Sequence, residues 1–170
     1  LLMAVFGLPT QVTTGYKGFA DIRLAVDGGE LAGVCAAWDT LKLPWGTQIE
    51  SGDMFVVVQA RREPLPEFPK VPLALDLAKT EEERELIQVG LQDPALLQLL
   101  YSFPPGTPKD RLEVLRKAFR DTMQAPDYAA DAQKAMLRVD PASGEELQRT
   151  AERLFKLSPA MVGRLKEILK

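Results

Sequence analysis

The chain contains no histidine and a single cysteine, Cys35. The absence of histidine excludes a Ser-His-Asp triad, a Cys-His pair and a His-ligated zinc site within these 170 residues. The lone cysteine excludes an internal disulfide, and its place in the apolar run LAGVCAAW predicts a buried, inert thiol. We therefore expect no catalytic residue, no metal ligand and no cofactor in this chain, and the chain is not expected to be an enzyme.

The sequence also lacks a basic excess and a long apolar run. Its net charge is −3, so no nucleic-acid partner is expected, because such partners bind to clustered Lys and Arg. No apolar run approaches the roughly 20 residues that a membrane-spanning helix needs. The sequence begins at LLMAVFG without an initiator methionine, a basic stretch or a cleavage site. We interpret this start as a cut and place any signal peptide in the part removed.

Short apolar runs alternate with helical patterns in the first third of the sequence. The runs are QVTT (residues 11–14), LAGVCAAW (31–38) and MFVVVQA (54–60), and LAGVCAA and MFVVV have the near-continuous apolar character of buried parallel strands. A helical pattern covers residues 19–27, and a polar stretch that contains Trp45 separates the last two runs. This alternation of strands and helices predicts an α/β fold with a parallel sheet.

The rest of the sequence is predicted to be helical after a proline-rich segment. Residues 62–72 contain four prolines, which excludes a regular element and predicts either a linker or a long surface excursion. Helix starts are predicted at four capping residues, two with a glutamate three positions on and two followed by proline: Thr80 and Ser143, and Thr107 and Ser158. The apolar stripes of these helices are expected to be core or partner-facing surface.

Two features that could carry chemistry have structural explanations that we prefer. The acidic cluster at residues 81–85 opens a helix, where carboxylates oppose the macrodipole, and it has no calcium-loop pattern. The glycines of VDGGEL follow a helix and precede an apolar run, whereas a phosphate loop follows a strand and precedes a helix. Gly28 or Gly29 is therefore expected to end the helix in the left-handed conformation.

One turn lies where an open α/β sheet would bind a ligand. TTGYKGFAD (residues 13–21) leaves an apolar run and enters a helix, and helix starts present unpaired amides with a partial positive charge. The amides of residues 16–19 offer a site for a carboxylate or phosphate, and the Tyr16 hydroxyl offers a further donor. The same residues fit an ordinary strand-to-helix corner, so the residue chemistry leaves both interpretations open.

AAWDT (residues 36–40) is the equivalent corner after the next apolar run. Asp39 is expected to cap the helix that follows, and Trp38 to line either a pocket or the core. If both runs are adjacent parallel strands, the two corners line the same edge of one cleft.

The stretch VTTGYKGFADIRLAVDGGELAGVCAAWDTL resembles the solute receptors of the tripartite tricarboxylate transporter family, also called Bug-type receptors. Those receptors carry a valine-rich strand, G-Y-x-G, a helix that ends in an "LA…GE" element, and a further strand. Downstream, FPKVPLALDL and FPPGTPKDRLEVLRKAFRDTMQAPDY resemble later elements of the family, and GEEL lies in the final helices. The resemblance runs in order through most of residues 6–156.

The resemblance implies a periplasmic binding protein of type II, whose two lobes close over a ligand. This chain would contain the second lobe, with a short parallel or mixed sheet flanked by helices, and C-terminal helices that return to a first lobe outside these residues. Residues 1–60 would belong to the ligand-binding lobe. Residues 61–103 would form a proline-rich connection with helices and a crossing segment, and residues 104–170 the C-terminal helical segment.

The resemblance also implies a ligand, a partner and a location. The ligand would be a small di- or tricarboxylate or a related organic acid, held without bond-making chemistry and passed to membrane permease subunits in the periplasm of a bacterium. The implied ligand-binding residues lie in the two corners: Gly15, Tyr16, Lys17, Gly18 and Phe19 in the first, and Ala37, Trp38 and Asp39 in the second.

Two other function classes stay open on the sequence. A protein-interaction module would use the apolar stripes of the C-terminal helices, and the same stripes favour self-association if they are uncovered. A transferase would use the opening turn, with its catalytic residues supplied from outside this chain, because neither histidine nor a P-loop lysine pattern is present.

Overall fold

The computed structural model describes residues 1–169, and 56% of the chain is helical. In chain order the helices are α1 (Leu2–Phe6), α2 (Phe19–Asp27), α3 (Trp38–Ser51), α4 (Ala74–Leu77), α5 (Glu81–Ile87), α6 (Asp93–Leu96), α7 (Lys109–Gln124), α8 (Pro126–Lys134), α9 (Gly144–Phe155) and α10 (Pro159–Ile168). A π-helical turn, Gln88–Gln92, joins α5 to α6.

The chain divides into two compact units. Residues 9–56 form one of them, the inserted unit, which contains α2 and α3. Residues 1–8 and the residues from 57 onward form the other, the main unit, which contains α1 and the helices from α4 to α10. The main unit is therefore discontinuous in sequence, because the inserted unit separates α1 from the rest of it.

The predicted parallel sheet is absent from the described residues, so the α/β fold assignment is wrong. None of the predicted strands QVTT, LAGVCAAW and MFVVV forms as a strand, and Trp38 instead begins α3. The one bridge in residues 1–169 is an isolated parallel pair, Gln59 with Leu73. Side chains expected to be buried by a sheet stay in solvent: Val12 is 65% exposed and Phe55 is 78% exposed. An apolar run indicates an extended backbone, but it does not specify which strand completes its hydrogen bonds.

The proline-rich segment is a folded excursion on the surface of the main unit. The side chain of Gln59, which is 4% exposed, holds it in place. Its Nε2 donates to the carbonyls of Phe68 and Val71, both at 3.0 Å, and its Oε1 accepts from the amide of Leu65 at 2.8 Å. All the hydrogen-bonding groups of this buried amide side chain are engaged by the segment, which offsets the cost of burying them.

Two small clusters of buried apolar side chains form the core of the main unit. Ala74, Ala78 and Ile87 make up the first cluster, and Leu86, Val89 and Met161 make up the second. The second cluster also takes Leu154 of α9 and Leu165 of α10, so these predicted apolar stripes are in part core. In contrast, no residue of α7 is buried. The main unit thus has a buried centre, whereas other residues cover α7 only in part.

A buried carboxylate ties α6 to α9. Asp93 is fully buried and accepts from Arg153 through two bonds, Nε to Oδ2 at 3.0 Å and Nη2 to Oδ1 at 2.5 Å. Arg62 adds a third bond at 3.1 Å and reaches Glu146 with its other terminal nitrogen at 2.6 Å. Two arginines and two carboxylates form this network, so their formal charges cancel, as a buried ionic group requires.

Local capping motifs predicted the helix starts well, with one exception. Thr80 and Glu83 form a complete capping box, and Ser158 accepts from the amide of Met161 as predicted. The box at Ser143 is only half formed: Ser143 accepts from the amide of Glu146 at 3.1 Å, while the Glu146 side chain binds Arg62. The tertiary ion pair therefore takes precedence over the local bond.

The predicted helix start at Thr107 is wrong. The helix begins at Lys109 with Pro108 as its N-cap, and the Thr107 hydroxyl donates to the carbonyl of Pro104 at 2.8 Å. Gly106, with φ +82°, allows the tight turn that brings this carbonyl within reach. The hydroxyl is therefore used by the preceding turn and leaves the first amides of α7 without a side-chain cap.

Candidate functional site

The inserted unit contains two helix starts without a side-chain cap. α2 begins at Phe19 after Gly18, and α3 begins at Trp38 after Ala37, and neither N-cap residue makes a side-chain hydrogen bond to the helix. The first amides of a helix have no partner within the helix, and together they present a partial positive charge. Both corners that the sequence singles out therefore present amides that can bind an anion, although no sheet supports them.

The first corner leaves its backbone open to a ligand. Gly15 has φ +103°, a conformation that other residues rarely adopt, and Gly18 is fully extended. A Cβ added at either glycine would meet no atom within 4 Å. A small molecule can therefore approach the amides of the first turn of α2 without displacing a side chain.

The Tyr16 hydroxyl donates to a partner that the sequence reasoning missed. It donates to Oε1 of Glu30 at 2.7 Å, which ties the corner to the residues that follow α2. This hydrogen bond to a carboxylate, helped by desolvation and the charge of Glu30, raises the pKa of Tyr16 above its ordinary value. Tyr16 thus fixes the shape of the turn, and its hydroxyl is committed to Glu30 rather than offered to a ligand.

Charged side chains next to the first corner have opposing effects on an anion. Lys17 is exposed and makes no ion pair within residues 1–169, so its charge attracts an anion toward the start of α2. Asp21 lies in the first turn of α2, where its carboxylate competes for the same partial charge. Together with the Glu30 carboxylate bound to Tyr16, these side chains do not give the corner a positive charge, so its attraction for anions depends on the amides.

The second corner differs from its prediction in one respect. Asp39 lies in the first turn of α3, and the N-cap is Ala37, whose extended backbone precedes the helix. The expectation that Asp39 caps the helix is therefore wrong, because the helix begins at Trp38, two residues earlier than an Asp39 cap requires. Trp38 is half-buried, so its side chain forms part of the surface around this helix start.

Trp45 is the residue that joins the two helices, and the sequence reasoning did not single it out for the site. Its ring packs edge-on against Phe19, with centroids 5.7 Å apart, and its Nε1 donates to Oδ1 of Asp27 at 2.6 Å. Trp45 is 2% exposed and touches both the first and last residues of α2. In the described part of the chain, neither Ala37 nor Asp39 forms a hydrogen bond or ion pair with the first corner.

Cys35 is exposed, so its predicted burial is wrong. The apolar run around it predicted a strand covered by a sheet, and without that sheet the thiol faces solvent. Among residues 1–169, no group of three or more cysteine, aspartate and glutamate side chains is arranged to hold a metal ion.

The main unit has an open groove of about 510 Å³ beside α9. Three cations line it, Arg149, Arg153 and Lys156, together with the carboxylates of Glu85 and Glu152. Arg153 is already neutralised by Asp93, so the remaining formal charges of the groove cancel. The groove therefore has no preference for the sign of a ligand's charge.

Comparisons with protein-family models, curated proteins and solved structures found no match to this chain. Over the residues that the structure describes, none of the helices is both long enough and apolar enough to cross a membrane.

Proposed function

We propose that this chain is part of a solute receptor that binds a small organic acid at the two helix starts of the inserted unit. The observation that carries the proposal is the pair of uncapped helix starts, α2 at Gly18 and α3 at Ala37, on helices that pack together through Trp45. The resemblance to tripartite tricarboxylate receptors supplies the ligand class, a di- or tricarboxylate. It also supplies the partner, membrane permease subunits, and the periplasmic location.

Backbone amides can select a carboxylate in spite of the net charge of −3. Each helix start contributes about 0.3–1 kcal/mol of attraction for an anion at an exposed position, and up to about 2 kcal/mol in a partly buried one. Two carboxylate groups on one ligand can engage two helix starts, whereas a monocarboxylate engages one. The proposal therefore predicts a preference for di- and tricarboxylates over acetate.

The chain contains one carboxylate that shows this effect. Glu145 lies in the first turn of α9, and a hydrogen bond from its own backbone amide lowers its pKa, with Arg116 and Ser143 acting in the same direction. The amides at the start of a helix thus favour the ionised form of a carboxylate in this protein. At the starts of α2 and α3 a ligand carboxylate would take the place that Glu145 occupies at α9.

The decisive variant places a carboxylate where the ligand would lie. In Gly18→Asp, the new side chain can accept hydrogen bonds from the first amides of α2, so it occupies the anion position from within. We expect the melting temperature to rise slightly, from about 0.5 kcal/mol of added capping, while the affinity for citrate or succinate falls at least about tenfold. Isothermal titration calorimetry with a panel of organic acids measures the affinity.

Gly33→Asp is the matched control. It adds the same charge to the same unit at an exposed glycine that is four residues before the N-cap of α3 and is not itself a cap, where a Cβ meets no atom within 4 Å. The proposal requires that Gly33→Asp keep the wild-type affinity within about twofold, since a distant exposed charge is screened by salt. The proposal would be overturned by an equal loss of affinity in both variants. It would also be overturned if no organic acid gave a heat of binding with the wild-type protein.

A second candidate function, a protein-interaction module, is favoured by one observation. α7 has no buried residue, and its Val114 and Leu115 are 67% and 44% exposed. An apolar patch of this kind marks a surface for a protein partner. Leu115→Asp would abolish binding to such a partner and leave citrate binding unchanged, so the same calorimetry separates the two functions.

A further inference from the structure

Helix α1 belongs to the main unit but is tethered to it through the inserted unit. Residues 1–8 pack with the residues from 57 onward, and residues 9–56 lie between them in the sequence. Leu1, Leu2, Val5 and Phe6 pack against the first core cluster, and Val5 also packs against the second. α1 is therefore a core element whose only covalent connection to the rest of the main unit passes through 48 residues of another unit.

Only side-chain contacts hold α1 in its seat, which is the surface of the two core clusters on which it packs. Its backbone bonds are internal, Val5 amide to Leu1 carbonyl at 3.0 Å and Leu8 amide to Met3 carbonyl at 3.1 Å. Within residues 1–169, no hydrogen bond or ion pair joins α1 to the remainder of the main unit. None of its residues is fully buried, and a five-residue helix is not stable alone. These features allow α1 to leave its seat without unfolding the other helices.

The seat itself is shaped for α1. Gly90, in the π-helical turn, leaves room for Leu1, since a Cβ on Gly90 would lie 2.2 Å from the Leu1 Cδ1. The chain after α1 turns at Gly7, with φ +61°, and then runs without regular structure to Gly18. Residues 9–17 contribute no backbone hydrogen bond in the described part of the chain, so this stretch can serve as a hinge.

We infer that α1 exchanges between two copies of this chain, with α1 of each copy filling the seat on the main unit of the other. Such a dimer is a domain swap: it uses the contacts that the monomer already makes, so it needs no new complementary surface. The occupant of the seat is α1 of a second copy, and the partner contributes Leu1, Leu2, Val5 and Phe6 to the core.

Concentration decides between the closed and the swapped form. The tethered α1 competes with α1 of another chain, and only the exchange between chains depends on protein concentration. We therefore expect the swapped fraction to rise steadily between 10 µM and 1 mM. Exchange is slow relative to diffusion, because α1 must first leave its seat.

The single cysteine makes the experiment possible with the wild-type sequence. Cys35 is exposed and lies outside α1 and its seat, so one batch can carry a donor dye and another an acceptor dye at this position. The two batches are mixed from 10 µM to 1 mM, and energy transfer is followed over time. We expect transfer to grow with concentration and to disappear on dilution.

Val5→Asp tests whether α1 is responsible. It places a charge at the side chain that packs against both core clusters, so α1 should leave its seat in the closed and in the swapped form alike, and transfer is expected to fall at least tenfold. Ala4→Asp is the matched control, since Ala4 is the exposed neighbour on the same helix, and it should keep wild-type transfer. Association through exposed apolar patches elsewhere would persist in Val5→Asp, and that result would overturn the inference, as would no transfer at 1 mM.

A hinge variant keeps the test valid if Val5→Asp fails to fold, which circular dichroism reveals. Deleting Gln11, Val12 and Thr13 shortens an exposed stretch outside both core clusters. A shorter tether lowers the effective concentration of α1 at its own seat, so the swapped fraction at 100 µM should rise several-fold. An unchanged fraction would contradict exchange of α1.

Discussion

At the scale of single residues, Asp93 is the polar side chain on which the main unit depends most. It is fully buried and holds both Arg62 and Arg153, which come from sequence positions 31 and 60 residues away. No sequence pattern predicts this network, because its members are brought together only by the packing of α6 and α9. Sequence reasoning identifies charged residues well, but it does not show which of them become buried and paired.

Asp93→Asn should destabilise the protein by about 3 kcal/mol, because it removes a charge that two arginines need and leaves their donors poorly matched. This loss lies at the lower end of the range of about 3–5 kcal/mol for breaking a buried ion pair, because both arginine side chains are partly exposed and keep part of their hydration. Asp140→Asn is the control: Asp140 pairs with Arg61 and Arg138 at the surface and is 64% exposed, so its loss should cost about 0.5 kcal/mol or less. Urea unfolding of both variants measures the difference.

Tyr16 provides a prediction about pH. Its pKa is raised in the folded protein, chiefly by the hydrogen bond to Glu30, so the neutral phenol is favoured by folding. The resulting stability is fully present below the unfolded pKa of about 10 and is lost as the pH rises through the folded value. Absorbance titration of the phenolate should show one tyrosine above the ordinary range, and Glu30→Ala, which removes the acceptor, should move that transition down. A titration unaffected by Glu30→Ala would exclude this hydrogen bond in solution.

At the scale of elements, helices were predictable and strands were not. The helix at residues 19–27 and the starts at Thr80 and Ser158 follow from signals a few residues long, and the structure confirms them. MFVVV and QVTT were predicted as strands from an equally local signal, but neither run belongs to a sheet in the described residues. A strand needs a partner distant in sequence, and Gln59 pairs with the proline-rich segment instead.

The two threonines that were predicted to cap helices allow a matched test of how much a helix cap contributes to stability. Thr80→Ala removes a complete capping box from α5 and should cost about 1 kcal/mol of unfolding free energy. Thr107→Ala removes a hydroxyl that caps no helix and should cost about half as much or less, the share of an exposed turn hydrogen bond. Chemical denaturation that ranks Thr107→Ala above Thr80→Ala would contradict the capping assignments.

At the scale of the whole molecule, most of the buried core lies in the main unit, and we propose binding in the inserted unit. The residues proposed for the site were predictable because helix starts are local features. The role of Trp45 was not, since it depends on α3 packing against α2. The resemblance to solute receptors connects the helix starts to a ligand class, and the amide geometry gives that ligand a physical reason to bind there.

The central claim is that the first amides of α2 and α3 hold the ligand carboxylates. An amide chemical-shift titration of ¹⁵N-labelled protein with citrate tests it most directly, because it observes each backbone N–H separately. We predict the largest saturating shifts at Phe19, Ala20 and Asp21 and at Trp38 and Asp39, with smaller changes in the main unit and at Thr40, whose amide already donates to the Ala37 carbonyl at 3.0 Å. Saturating shifts confined to the groove beside α9, or no saturable shift at any amide, would contradict it.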